Sequence, residues 1–123
     1  MAKRILIVED NEDNRFILVQ ILRFSGYETI EAITGIDGVE QALGEKPDLI
    51  FMDLGLPRLD GLDAARAILT NPITAQIPII AHTAWNPEQF KAQALQVGMV
   101  DYLQKPVPIT LLKATIERFL KLN

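Results

Sequence analysis

Five short β-type runs, each separated from the next by a stretch of helical periodicity, constrain this chain more than any other feature. The runs are Arg4 to Val8, Glu28 to Ala32, Asp48 to Met52, Pro78 to Thr83 and Val100 to Gln104. Strands that alternate with helices imply a parallel sheet covered by helices on both faces, an α/β doubly wound arrangement. Three of the runs are strongly apolar and are predicted to be central, since strands covered on both sides carry few polar residues. Five such strand-and-helix units fit the length.

Period and punctuation place the helices. Ile17, Leu18, Ile21 and Leu22 form one stripe that stops at Gly26, and Phe90, Ala94 and Val97 form another that stops at Gly98, both glycines suiting helix C-caps. Val39, Ala42 and Leu43 mark a helix ending at Gly44, Leu62 to Leu69 a further one, and Leu112, Ile116, Phe119 and Leu120 the last. Pro108 fits that helix's first turn. No linker, repeat or low-complexity segment interrupts the pattern, so one domain over residues 1–123 is expected, with nothing left for an output domain.

Acids sit where strands end. Asp53 closes the run Leu49-Ile50-Phe51-Met52 and precedes Leu54-Gly55-Leu56-Pro57, while Glu9 and Asp10 directly follow Ile5-Leu6-Ile7-Val8. Two strands thus deliver three carboxylates toward one sheet edge, and like charges crowded together call for a cation.

Composition narrows the chemistry. Without cysteine there is no thiol nucleophile, disulfide or Cys-type zinc site, and the single His82 cannot build a histidine metal cluster. Twelve Lys and Arg against sixteen Asp and Glu give a net charge of −4, which argues against direct nucleic-acid binding and for a protein partner. The amino-terminal apolar run is cut short by Glu9, so neither a signal peptide nor a membrane span is expected, and the reading is a soluble cytoplasmic protein.

Taken in order, Ile-Leu-Ile-Val-Glu9-Asp10-Asn-Glu, Met-Asp53-Leu-Gly-Leu-Pro57, Thr83-Ala84 and Lys105-Pro106 resemble the receiver domain of bacterial two-component response regulators, in a single-domain, chemotaxis-receiver-like form. The likeness covers essentially the whole chain. It implies the flavodoxin-like strand order 2-1-3-4-5 with five helices, and a site at the switch point between the first and third strands. It further implies Mg2+ held by Asp10, Asp53, the Gly55 backbone carbonyl and, through water, Glu9. Asp53 would be the phosphoacceptor, with Thr83 and Lys105 directing a hydroxyl and an ammonium to the phosphoryl oxygens and the Leu54 and Ala84 backbones contacting them. A cis Lys105-Pro106 bond would aim the lysine.

The resemblance also implies signalling. Thr83 and Tyr102 would form the switch pair, and Phe90 to Gln96, Val100 to Gln104 and Leu111 to Arg118 the output face. Partners would be a sensor histidine kinase or phosphotransfer protein and a downstream protein target, with the domain a monomer or a phosphorylation-dependent dimer. It would act on itself, gaining and losing an aspartyl phosphate, and not as an enzyme on a separate substrate. Gly55 and Trp85 stand where side chains tune the lifetime of such a mark, and an indole that excludes water would lengthen it. His82, where the family commonly has an aliphatic residue, is expected to be a packed or edge histidine or a pH-sensitive one.

Other classes fit less well. A haloacid-dehalogenase-like phosphatase needs a second acid two residues after its aspartate, and Gly55 occupies that place. A nucleotide-binding Rossmann module needs a Gly-rich first turn, whereas Glu9-Asp10-Asn11-Glu12 would repel a pyrophosphate. The remaining rival is an unphosphorylated adaptor or dimerisation module on the same fold.

Overall fold

A computed structural model describes residues 2–120; Met1 and the chain end at Asn123, named above as domain limits, lie outside the described residues. The elements run β1 (Arg4–Val8), α1 (Glu12–Phe24), β2 (Glu28–Ala32), α2 (Gly35–Glu45), β3 (Leu49–Met52), α3 (Gly61–Thr70), β4 (Ile79–Thr83), α4 (Pro87–Val97), β5 (Asp101–Gln104) and α5 (Ile109–Phe119). All four strand pairings are parallel, in the order β2-β1-β3-β4-β5, as expected.

The three central strands are the apolar ones. Every residue of β3 and β4 is buried, as is every residue of β1 after Arg4. Alternation splits their side chains between two cores. Leu6, Val8, Ile50, Met52, Ile79 and Ala81 pack under α2, α3 and α4, whereas Ile5, Ile7, Leu49, Phe51 and Ile80 pack under α1 and α5. With both faces covered, the open ends of the strands are where the sheet can present polar groups.

Several local expectations are corrected. β3, β4 and β5 each start one residue later than expected, at Leu49, Ile79 and Asp101. Asp48 instead turns its carboxylate to the Arg4 amide at 2.8 Å, and Pro78 has no N–H to donate. The buried stripe of α1 is Leu18, Val19 and Leu22; Ile17 is 56% exposed. Helix α2 runs past Gly44 to Glu45, and the left-handed capping position is taken by Lys46 at φ 47°. Pro108 caps α5 from outside its first turn. Gly98 does cap α4, at φ 117°, and Gly26, at φ 95°, follows the cap Ser25 on α1.

The β3–α3 loop is held by close backbone approach. A Cβ on Gly61 would stand 2.0 Å from the Asp53 carbonyl oxygen, so only glycine lets α3 start this near β3. Its amide donates to the Leu54 carbonyl at 2.9 Å, and Asp60 caps α3 by accepting from the Asp63 amide at 2.9 Å. On the far side, the Pro57 and Arg58 carbonyls accept from Gly35 and Ile36, the first two amides of α2, at 3.3 and 3.2 Å.

Candidate functional site

Four strand ends converge at the carboxyl edge of the sheet. Glu9 leaves β1 tied to β2 by its amide, which donates to the Ala32 carbonyl at 3.0 Å, and the residue is only 2% exposed. Asp53 leaves β3 with its amide donating to the Val8 carbonyl at 3.1 Å, and is likewise buried. Asp10 is exposed beside them. One oxygen from each of Glu9, Asp10 and Asp53 lies within 4.8 Å of the others, at the switch point between β1 and β3.

Lys105 arrives from the other end of the chain. Its backbone amide donates to the Thr83 carbonyl at 2.8 Å, the Lys105–Pro106 peptide is cis as expected, and the ammonium donates to Asp53 Oδ2 at 3.1 Å and to Glu9 Oε1. The second oxygen of each acid is also engaged. Asp53 Oδ1 accepts from the Gly55 amide at 3.2 Å, and Glu9 Oε2 from the Asn11 amide at 3.1 Å. Three carboxylates against one ammonium leave two negative charges uncompensated.

Protonation follows from these contacts. Burial pushes the Glu9 carboxyl above its ordinary range, further than the bonds from Lys105 and Asn11 pull it down. Burial also acts to raise Asp53, but the hydrogen bond of Thr83, the charge and bond of Lys105 and the Gly55 amide together hold it below the ordinary range. Asp53 is therefore ionised at neutral pH. Burial acts to lower Lys105, and the bond and charge of Glu9 with the charge of Asp53 raise it above its usual value, so the ammonium persists.

The remaining expected residues gather around this centre. Thr83 is fully buried, its hydroxyl accepting from the Trp85 amide at 3.3 Å. Tyr102 points inward, 7% exposed, its hydroxyl donating to the Trp85 carbonyl at 2.8 Å. The Trp85 indole packs on Phe90, with ring centroids 4.6 Å apart, and also lies against Gly55. Among the described residues the Leu54 and Ala84 amides make no hydrogen bond, which leaves both free for a ligand oxygen. His82 is packed within the sheet between β3 and β5 and is not an edge residue. Burial, aided by the Lys105 charge and opposed by that of Asp53, lowers its pKa to about 4, so it is neutral at pH 7.

Sequence reading missed the direct Lys105–Glu9 ion pair and the part played by the β3–α3 loop. The Asp60-Gly61 dipeptide was the available signal for the loop, since Asp favours the cap and Gly the close approach. No local signal announces an ion pair between residues so distant in sequence.

An acid cluster at the switch point of a five-stranded doubly wound sheet, bridged by a lysine following β5, defines a signalling domain of the phosphoacceptor class. The family model described as "Response regulator receiver domain" matches residues 5–117, and the chain belongs to that family. It is 34% identical over 120 residues to the polar-differentiation response regulator DivK of Brucella anthropi, covering 98% of each chain. Among solved structures it is similar to the receiver domain of a sensor histidine kinase from Pseudomonas aeruginosa, which has a magnesium ion coordinated in its active-site cleft. Identity there is 38%, with a TM-score of 0.89, covering 97% of this chain and 98% of that one. The chemotaxis protein CheY4 of Vibrio cholerae matches with a TM-score of 0.91 at 25% identity, covering 98% and 100%.

Receiver domains of this kind interact with histidine kinases and with downstream targets. The adaptor reading is not favoured over the phosphoacceptor one. No helix among the described residues is long and apolar enough to cross a membrane.

Proposed function

We propose that the chain is a magnesium-dependent phosphoacceptor in which Asp53 takes a phosphoryl group from a phosphohistidine on a sensor kinase or phosphotransfer protein. The observation that carries this reading is the single ammonium of Lys105 shared by two buried acids, Glu9 and Asp53, beside an exposed third, Asp10. The donor set consists of hard oxygens, which suits magnesium: Asp10, Asp53 and the Gly55 carbonyl would hold it, with Glu9 acting through water. When bound, the metal supplies neutralisation of the charge gathered on the transferred group.

The chain's own residues do the rest. An Asp53 carboxylate oxygen forms the new O–P bond as the P–N bond to the donor imidazole breaks, and the electron pair leaves with that nitrogen. Lys105 reorients part of its bonding from Asp53 to a phosphoryl oxygen, Thr83 contributes its hydroxyl, and the Leu54 and Ala84 amides take the other oxygens. Lys105 also keeps Asp53 ionised before attack.

The same rearrangement provides a readout. Thr83 and Tyr102 are linked through Trp85, whose amide bonds one and whose carbonyl bonds the other, so a shift of the threonine hydroxyl reaches the tyrosine. The face affected comprises Phe90 to Gln96 on α4, β5 with Val100, and Leu111 to Arg118 on α5, where Leu95, Val100 and Leu111 are exposed and Arg118 pairs with Asp101. A downstream protein, or a second copy in a phosphorylation-dependent dimer, would read it. A cytoplasmic location accords with a kinase donor.

The test is intact-mass measurement after incubation with acetyl phosphate and magnesium. A phosphoryl adduct is expected in the parent and none in Asp53→Asn. A folded parent that gains no adduct from acetyl phosphate or from a phosphohistidine donor would overturn the proposal.

A further inference from the structure

Two consecutive residues of the β3–α3 loop are held in backbone conformations that cost energy. Arg58 and Leu59 have φ of 53° and 99°, a region that residues with a Cβ rarely enter. Such conformations persist only where the surroundings over-determine them. Here the surroundings are the first turn of α2. The Gly35 and Ile36 amides, two donors that a helix start leaves without an intrahelical partner, donate to the Pro57 and Arg58 carbonyls. The Leu59 carbonyl lies so close to Gly35 that a Cβ there would stand 1.7 Å from its oxygen.

Helix α2 has little room to give way. One turn further on, a Cβ on Gly38 would stand 2.9 Å from Val8 Cγ1, so the helix is seated at once on β1 and on the loop. At its other end the loop is anchored on α3, where the Leu54 carbonyl accepts from the Gly61 amide at 2.9 Å. Only Gly55 and Leu56 span the distance between the bonded carbonyls of Leu54 and Pro57, and Leu56 is buried in the core. Chain steps of about 3.8 Å cannot stretch to follow a displaced Pro57, so a peptide must turn, and the residue freest to turn is Gly55. Its amide is the donor to Asp53 Oδ1.

We propose that Gly35 and Ile36 are positioning residues for the site, acting through Pro57, Arg58 and Leu59 to fix the Gly55 peptide, whose amide orients Asp53 and whose carbonyl serves the metal. The part played by the carbonyl rests on the magnesium assignment made above. Coupling of this kind is reciprocal, so a cation held at Gly55 also steadies the loop on α2.

The experiment measures amide hydrogen exchange by NMR in the full chain, with and without saturating magnesium. Gly35 and Ile36 are expected to exchange at least about fivefold more slowly with the ion present. Asp37 and Gly38 are the comparison, because their amides bond to the Thr34 hydroxyl and carbonyl and not to the loop; their exchange is expected to change far less. In Gly35→Ala the added methyl displaces the Leu59 carbonyl, and magnesium affinity is expected to fall on the order of tenfold. The fluorescence of Trp85, the single tryptophan, follows that binding from beside Gly55. Leu22→Ala, in the opposite core under α1, lowers stability without touching the loop and is expected to bind magnesium as the parent does. If Gly35→Ala does not fold, the exchange measurement on the parent decides. Magnesium that binds without slowing Gly35 and Ile36 beyond Asp37 and Gly38, a folded Gly35→Ala with parental affinity, or an equal loss of affinity in Leu22→Ala would each overturn the proposal and leave the metal assignment standing. A parent that binds no magnesium would overturn both.

Discussion

The Trp85 indole lies against Gly55 so closely that a methyl group on Gly55 would stand 3.1 Å from its Nε1. The two residues belong to the loops leaving β3 and β4, each two positions beyond the strand-end residues Asp53 and Thr83. If Asp53 carries the proposed phosphoryl group, removing the indole would admit water beside it. Trp85→Ala is expected to lose its phosphoryl group several-fold faster than the parent in an intact-mass time course, and an unchanged half-life would refute the shielding role.

Lys105 sets the charge balance of the same centre. In Lys105→Met, Glu9 and Asp53 keep their burial and lose their shared cation, which is expected to cost about 3 kcal/mol at pH 7, tempered as Glu9 takes up a proton. Urea unfolding measures the loss. Combining the change with Asp53→Asn is expected to recover part of it, because one acid fewer is left uncompensated. A loss within about 0.5 kcal/mol, the size of an ordinary surface substitution, would show that the ion pairs contribute little.

Magnesium is expected to stabilise the chain, since two negative charges at the site lack a partner. At ten times its Kd the ion adds about 1.4 kcal/mol by mass action, seen as a rise in Tm that a chelator reverses. Asp10→Asn, at an exposed position, is expected to abolish the rise while leaving the metal-free protein at least as stable, because it removes one of three crowded charges. A parent whose Tm ignores magnesium would exclude the assigned ligand set.

Acid pH acts on His82. Its folded pKa of about 4 lies below the unfolded 6.5, so between those values the unfolded chain binds more protons and stability falls as pH falls. Full depression corresponds to about 3 kcal/mol, present above pH 6.5 and lost on descending to pH 4. The groups acting on the ring are the Lys105 ammonium, which lowers its pKa, and the Asp53 carboxylate, which raises it. The difference in stability between parent and His82→Leu, measured by urea unfolding from pH 7 to pH 4, isolates this dependence from the carboxylates. A difference that stays constant across the window would refute it.

What the sequence made legible was whatever rests on local pattern. Apolar runs ending in acids placed β1, β3, Asp53, Glu9 and Asp10, because a buried strand and its polar stop are written side by side. Periodicity was less decisive on α1, where Ile17, Leu18, Val19, Ile21 and Leu22 offer overlapping apolar stripes and only packing against the sheet selects Leu18, Val19 and Leu22. Gly44 was a reasonable cap until Lys46 accepted the left-handed conformation one residue beyond the helix. The seating of the β3–α3 loop on α2 could not be read at all, since it joins Gly35 and Ile36 to Pro57, Arg58 and Leu59, which meet only in the folded chain.

The bond between Lys105 and Glu9 joins positions 96 residues apart, linking the end of the first strand to the turn after the last. A chain still emerging during synthesis carries its acids long before it carries their ammonium. Without Lys105, Glu9 and Asp53 face each other with no shared cation, and Asp53 keeps only the contacts of Thr83 and the Gly55 amide. Fragments truncated before residue 105 carry the acids and lack their ammonium, so they are expected to present the carboxyl edge of the sheet without its charge compensation. The arrangement makes the charge balance of the site depend on both ends of the chain being in place.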